Sequence, residues 1–248
     1  MNNLMKKKFL TSWLLDILFP RFCIKCKKEG LYICNECSIF TSETQPVCPL
    51  CGLASKFGKT HKNCYTPQCL DGLTSIWDYE DIIKDALHII KYQGKFHILE
   101  ELIERLISII TKNPESFSEF VTLLTDENTI ITFVPIHKSK KIQRGFDQAE
   151  LLADHIATLG NKKPIKLLER TKQTQSQFEL DKKERLNNIK NAFSFIGKEN
   201  IKKVIIVDDI WTSGATMQEC CRVLKENGAT KVWGFTLAKV QNVYYPKS

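Results

Sequence analysis

The chain has 248 residues, 43% hydrophobic and 26% charged, a balance that excludes disorder, a collagen-like repeat or a coiled coil as the main architecture. Lys and Arg outnumber Asp and Glu by 36 to 28, and the resulting +8 points to an anionic partner such as phosphate, nucleic acid or a membrane surface. Of ten cysteines, eight fall between Cys23 and Cys69 and the other two are Cys220 and Cys221; crowding at one end predicts a metal module rather than a disulfide scaffold.

Residues 1–20 start with Lys6, Lys7 and Lys8 and run into an apolar stretch at 9–19. Asp16 interrupts that stretch, no small-residue cleavage site precedes Pro20, and the run is too short to span a bilayer. Leu10, Leu14, Ile17 and Leu18 instead share one helical face, so an amphipathic helix packed on the body is expected. No other segment reaches spanning length, so neither membrane insertion nor export is expected; a cytoplasmic location is. Residues 21–72 hold the clustered cysteines among Gly and Pro turn formers, with poor periodicity, and cannot build a core of their own.

From residue 73 the texture changes. A strand is expected at 73–79, helices at 81–91 and 98–110, and a polar connection at 111–118. A β-branched run at 130–136 reads as a buried strand, and 146–159 as a helix with Leu151, Leu152, His155, Ile156 and Leu159 on one face. A second buried strand at 204–207 precedes a helix at 216–226 that stops at Gly228, and a third strand follows at 231–237. Alternating strands and helices predict an α/β domain over 73–248, a parallel sheet flanked by helices, preceded by a small metal module at 21–72. Cys220 and Cys221 sit inside the late helix and read as small core residues.

The cysteine spacing carries metal chemistry. Cys23-x2-Cys26-x7-Cys34-x2-Cys37 is a pair of CxxC knuckles, enough thiolates for one tetrahedral zinc. A second set begins with Cys48 and Cys51 and includes Cys64; either His61 or Cys69 completes it. Four-ligand sites of this kind are structural, so up to two structural zinc ions are expected.

The most informative stretch is Val204-Ile-Ile-Val-Asp208-Asp209-Ile-Trp-Thr212-Ser213-Gly214-Ala215-Thr216. A buried strand delivers two acids to its carboxyl end, and a tight turn opens a helix, which is where ligands bind in an open α/β sheet. Backbone N–H groups of 212–216, with the hydroxyls of Thr212, Ser213 and Thr216, suit a phosphate dianion, and Asp208 and Asp209 suit sugar hydroxyls or Mg²⁺. A ribose 5-phosphate meets all of these requirements. The stretch resembles the 5-phosphoribosyl-1-pyrophosphate (PRPP) motif of type I phosphoribosyltransferases. A Walker A pattern is absent.

Two further segments narrow the resemblance. Val134-Pro-Ile-His137 leads to Arg144-Gly-Phe-Asp-Gln148, and the polar run from Arg170 to Gln177 leads to Arg185, Asn188 and Phe193. With the cysteine knuckles in front, this order resembles the ComF/GntX family of phosphoribosyltransferase-like proteins, associated with competence for DNA transformation. The likeness spans about residues 15–239. It implies PRPP binding with Mg²⁺ at Asp208, Asp209 and the 212–216 loop, and a mobile loop at 170–185 whose Arg170, Lys172 and Arg185, with Lys91 and Arg144, face pyrophosphate. It also implies a role in DNA uptake, with phosphoribosyl transfer to an acceptor for which no pocket or general base is legible. Members usually have Asn where this chain has Asp147, which exchanges an amide donor for a charge, and the Cys64/Cys69 spacing departs from the usual CxxC. An alternative reading is an accessory protein without turnover that binds single-stranded DNA and DNA-uptake proteins, its bases stacked on Phe57, Tyr65 or Trp77. The basic surplus is local: residues 138–190 hold 13 basic against 7 acidic side chains.

Overall fold

The structure, a computed structural model, describes residues 20–172, 189–198 and 200–241. The helix expected over 1–20 and the loop at 173–188, including Arg185, lie outside the described residues. Four strands form one sheet: β1 (Gly72–Asp78), β2 (Thr129–Phe133), β5 (Lys203–Trp211) and β6 (Lys231–Lys239), in the order β1-β6-β5-β2. Every pairing in it is parallel. A two-stranded antiparallel ribbon, β3 (Leu168–Arg170) with β4 (Phe193–Phe195), lies beside it.

The sheet forms where the sequence carries unbroken β-branched runs, because both of its faces are covered. On one face lie α1 (Asp81–Gln93), α2 (His97–Lys112), α3 (Ser118–Thr125) and α5 (Gln148–Leu159), packed on Ile131, Phe133, Ile205, Val207 and Phe235. On the other, α6 (Ala215–Glu226) and the β3–β4 ribbon cover Val204, Ile206 and Val232. The short α4 (Lys138–Arg144) stands at the carboxyl end of β2.

Three differences from the sequence reading have local causes. The polar stretch at 111–118 contains a one-turn helix, and α3 starts at Ser118 because Phe120, Leu123 and Leu124 supply a buried i, i+3, i+4 stripe. The buried face of α5 is Ala149, Leu152, Ala153, Ile156 and Ala157, leaving Leu151, His155 and Leu159 half-buried at its margin; alanines let the helix approach the sheet closely. Strand β5 runs on through both acids to Trp211, so Asp208 and Asp209 lie within the ladder, opposite Thr236 and beyond.

The cysteine-rich segment is fastened to the domain. Cys23, Ile33, Cys34 and Cys37 belong to the same apolar cluster as α1 and α2. Buried Glu101 of α2 accepts the backbone N–H groups of Tyr32 and Ile33 at 2.8 and 2.9 Å and an N–H of Arg105 at 3.1 Å. Arg105 in turn donates to the Ile33 carbonyl. Further on, Thr44 donates to Ile76 at 2.9 Å and Thr60 to Asp71 at 2.9 Å, so the segment pairs with the free edge of β1 at both ends. Among the described residues no helix is long and apolar enough to cross a membrane.

Candidate functional site

The metal-ligand residues fall into two groups. The sulfurs of Cys23, Cys26, Cys34 and Cys37 lie within 4.8 Å of one another, and Cys26 and Cys34 are 3.6 Å apart. Four sulfurs at zinc-bond length in a tetrahedron are separated by about 3.8 Å, so the group fits one zinc ion. Their ionisation supports this. Burial raises Cys23, but backbone N–H donors from Cys34, Cys26 and Lys25 outweigh it and bring the thiol down to about 6. Burial and the neighbouring thiols push Cys37 up to about 12. Four thiolates at this spacing need a dication between them.

The second group gathers Cys48, Cys51, His61 and Cys64. His61 Nδ1 lies 3.3 Å from Cys51 Sγ, and its Nε2 lies 3.1 Å from the Ala54 carbonyl. That carbonyl favours the Nε2–H tautomer and leaves Nδ1 free to ligate. Cys69 stands apart from this group, its sulfur accepting the Thr66 N–H at 3.3 Å. Of the two alternatives open in the sequence, the structure brings His61 to the other three ligands. Cys220 and Cys221 are buried in α6.

The carboxyl end of the sheet is built around the β5–α6 turn. Gly214 has φ +76° and caps α6, and a Cβ there would lie 2.2 Å from the Trp211 ring. Glycine is therefore required both by conformation and by space. The turn leaves Thr212, Ser213 and Thr216 partly exposed at the start of the helix, with Gly214 and Ala215 buried. Asp209 donates its N–H to Asp208 Oδ1 at 2.9 Å. Burial, then the Asp209 carboxylate, then Asp147 push the Asp208 carboxyl well above its usual range. Asp147 itself is 3% exposed and caps α5: its oxygens accept N–H groups of Ala149 and Ile136, each at 3.1 Å. Here the charge that replaces the family's usual amide serves two backbone donors. Burial also raises its carboxyl. Tyr79, at the end of β1, is raised by burial and by the Asp209 carboxylate, so it too borders this site.

Cations converge on the same end. Burial lowers Lys140 of α4, and Arg170, Arg144 and Lys91 add to the effect. Arg170, at the end of β3, is lowered by burial, with Cys220 and then Asp208 acting in the opposite direction. Lys91 and Arg144 share the Tyr92 ring, at 6.0 and 5.6 Å from its centroid. The sequence marks Lys91, Arg144 and Arg170 but not Lys140, because nothing local distinguishes it in the run Lys138-Ser-Lys140-Lys141. Lys172 is exposed beside Arg170. Trp77, a candidate for base stacking, is 1% exposed and belongs to the core; Tyr65 is exposed and Phe57 half-buried.

Two acids on a parallel strand, a glycine turn opening a helix, and nearby cations suit a phosphorylated, anionic ligand. The phosphoribosyl transferase domain family matches residues 107–247, more than half the chain, and the protein belongs to that family. Within it, the chain is similar to a DNA utilization protein, YhgH, of Escherichia coli strain K12, 28% identical over 214 residues, covering 84% of this chain and 90% of that one. Competence protein F of Haemophilus influenzae is 28% identical over 230 residues, 87% and 96% of the two chains. Competence protein ComFC of Bacillus subtilis is 26% identical over 229 residues, 88% and 87%. The motif resemblance to the ComF family therefore extends over most of the chain.

Proposed function

We propose that the carboxyl end of the sheet binds PRPP with Mg²⁺, or another ribose 5-phosphate, and that the protein acts in DNA uptake during natural transformation. The observation that carries the first part is that Arg170 reaches the field of Asp208 beside the glycine turn, with Lys140 placed near Arg170, Arg144 and Lys91. In this reading N–H groups of 212–216 and the hydroxyls of Thr212, Ser213 and Thr216 hold the 5-phosphate at the helix start. Asp208 and Asp209 accept from ribose hydroxyls. The cations, joined by Lys172 and Arg185, take the pyrophosphate and stabilise its charge as it departs. Bound Mg²⁺ would offset the negative charge between pyrophosphate and the two acids. Two ligand groups at 21–72 hold structural zinc. The DNA-uptake role rests on what the relatives' names say of those proteins. A cytoplasmic location accords with ten cysteines that are all free of disulfides.

Calorimetry with zinc-loaded protein tests the ligand. Saturable PRPP binding that needs Mg²⁺ is expected, and the folded double variant Asp208→Ala/Asp209→Ala should lose it. Absence of binding by well-folded wild-type protein overturns the reading.

A further inference from the structure

Away from the turn that holds the acids, a cavity of about 220 Å³ opens on the free edge of β1. The cysteine-rich segment pairs with β1 around Gly72 and again around Trp77, leaving the edge at 73–75 between the two bridges. A gap of three residues closed at both ends is too short for an added peptide strand. The volume is also below the roughly 300–1,000 Å³ of pockets for drug-sized ligands, which favours a single ring system with its substituents outside.

The lining is amphoteric along its edges and aromatic on its walls. Phe57 and Phe117 come from two different segments. Thr44 lines the cavity, and its Oγ1 is buried with no hydrogen-bond partner among the described residues. Gln45 and Asn113 add amides that can donate or accept, and Glu43 adds a carboxylate acceptor at the rim. Phe57 is held at φ +59°, a conformation that costs a non-glycine residue about 1–2 kcal/mol. Its neighbour Gly58 lies so close to the strand that a Cβ there would meet the Leu73 carbonyl at 2.1 Å. That approach, with φ +75° at Gly58, fixes the turn that presents the phenyl ring to the cavity. The Lys56 ammonium stands 4.9 Å from the Phe57 ring centroid and outside the lining, so it offers a cation beside the cavity.

We propose that this cavity is a nucleobase site, taking the base of a nucleoside monophosphate or of a strand by stacking on Phe57, with Thr44, Gln45 and Asn113 reading its edge and Lys56 meeting its phosphate. Glu43 accepts from an exocyclic amine, so cytosine is preferred to thymine. The inference does not depend on PRPP binding, since none of the lining residues belongs to the turn or the cation cluster.

The test is calorimetric titration of dCMP, dTMP and deoxyribose 5-phosphate into zinc-loaded full-length protein. dCMP should bind about tenfold more tightly than deoxyribose 5-phosphate and more tightly than dTMP. Thr44→Val and Asn113→Ala should each weaken dCMP about five- to tenfold. Thr44→Val keeps the side-chain shape and Asn113 is exposed, and a thermal melt confirms that both variants fold. Saturating PRPP with Mg²⁺, or Asp208→Asn/Asp209→Asn, should leave dCMP affinity unchanged. An octamer of deoxycytidine that binds more tightly than dCMP with the same Thr44→Val sensitivity identifies a strand as the source, and one no tighter identifies the free nucleotide; both uphold a base site. Equal affinity for dCMP and deoxyribose 5-phosphate overturns it, as does dCMP binding that PRPP displaces and Thr44→Val leaves untouched. PRPP binding is read in the same instrument, so failure of one site is seen apart from failure of the other.

Discussion

The first cysteine group and the carboxyl end of the sheet are both crowded with ionisable side chains, yet they are held in opposite ways. The cysteine group is embedded: three of its four sulfurs belong to buried residues, and Glu101 and Arg105 lock the intervening chain to α2. At the sheet end, burial and then neighbouring like charges raise the Asp208 carboxyl and lower the Lys140 ammonium. A buried group completed by one permanent ion acts as a fastener. A partly exposed group in which Asp208 and Lys140 are held against their charged forms suits a ligand that comes and goes. Stability should therefore depend on the first region, and ligand binding on the second.

The largest effect should come from the cysteines. Cys34→Ser is expected to lower bound zinc from two ions per chain to one and to cost about 3–5 kcal/mol, or roughly 6–20 °C of Tm at this size. Cys64→Ser should cost less, because Cys51, His61 and Cys64 are only partly buried. Elemental analysis and thermal melts decide it; equal losses for the two variants would break the distinction between an embedded and a peripheral group. Glu101→Ala comes next, at about 2–4 kcal/mol, since it strips a partner from two backbone N–H groups and from Arg105. Its melt should show the loss even with zinc in excess.

At the sheet the sign should reverse. Asp208 is raised in the folded state, so folding is linked to proton uptake. Stability of the ligand-free protein should fall as pH rises from the ordinary Asp range through the raised value. Asp208→Asn removes that charge and should stabilise the ligand-free protein at pH 7 by about 1–2 kcal/mol while weakening PRPP binding. A variant that is less stable at pH 7 would mean that the carboxylate already has a compensating partner.

These regions were unequally legible in the sequence. The β-branched runs at 130–136 and 204–207 and the Gly228 stop are local signals, and they correspond to β2, β5 and the end of α6. The CxxC pairs are local as well, because two knuckle turns bring their thiols together whatever surrounds them. His61 could not be separated from Cys69 by spacing, since the choice depends on which turn folds back onto Cys48. Lys140 was invisible for the same reason: its neighbours Arg170 and Lys91 come from β3 and α1. Helix α4 has no buried residue to mark it, and β3 and β4 are three residues each, too short for periodicity. The cavity on β1 joins four separate segments and has no sequence signature.

The smallest expected effect tests the boundary between fastening and binding, at Asp147. Both of its oxygens accept backbone N–H groups, so Asp147→Asn must turn an amide N–H₂ toward one of them and lose about 1–2 kcal/mol. Against this, the buried carboxylate is raised by its surroundings and lies close enough to Asp208 to raise that group too. Neutralising it relieves the cost of that raised carboxyl, so at pH 7 the variant should lie closer to wild type than the lost bond alone would put it. The two contributions separate by pH. A raised carboxyl loses stability relative to a neutral side chain as pH climbs from the ordinary Asp range through its raised value. The melting difference should thus move in favour of Asp147→Asn between about pH 4 and pH 7. Asp147→Ala has no oxygen left to cap α5 and should be destabilised across that whole range. A difference between Asp and Asn that stays flat with pH would show that Asp147 acts purely as a helix cap, leaving the charge of the ligand site to Asp208 and Asp209 alone.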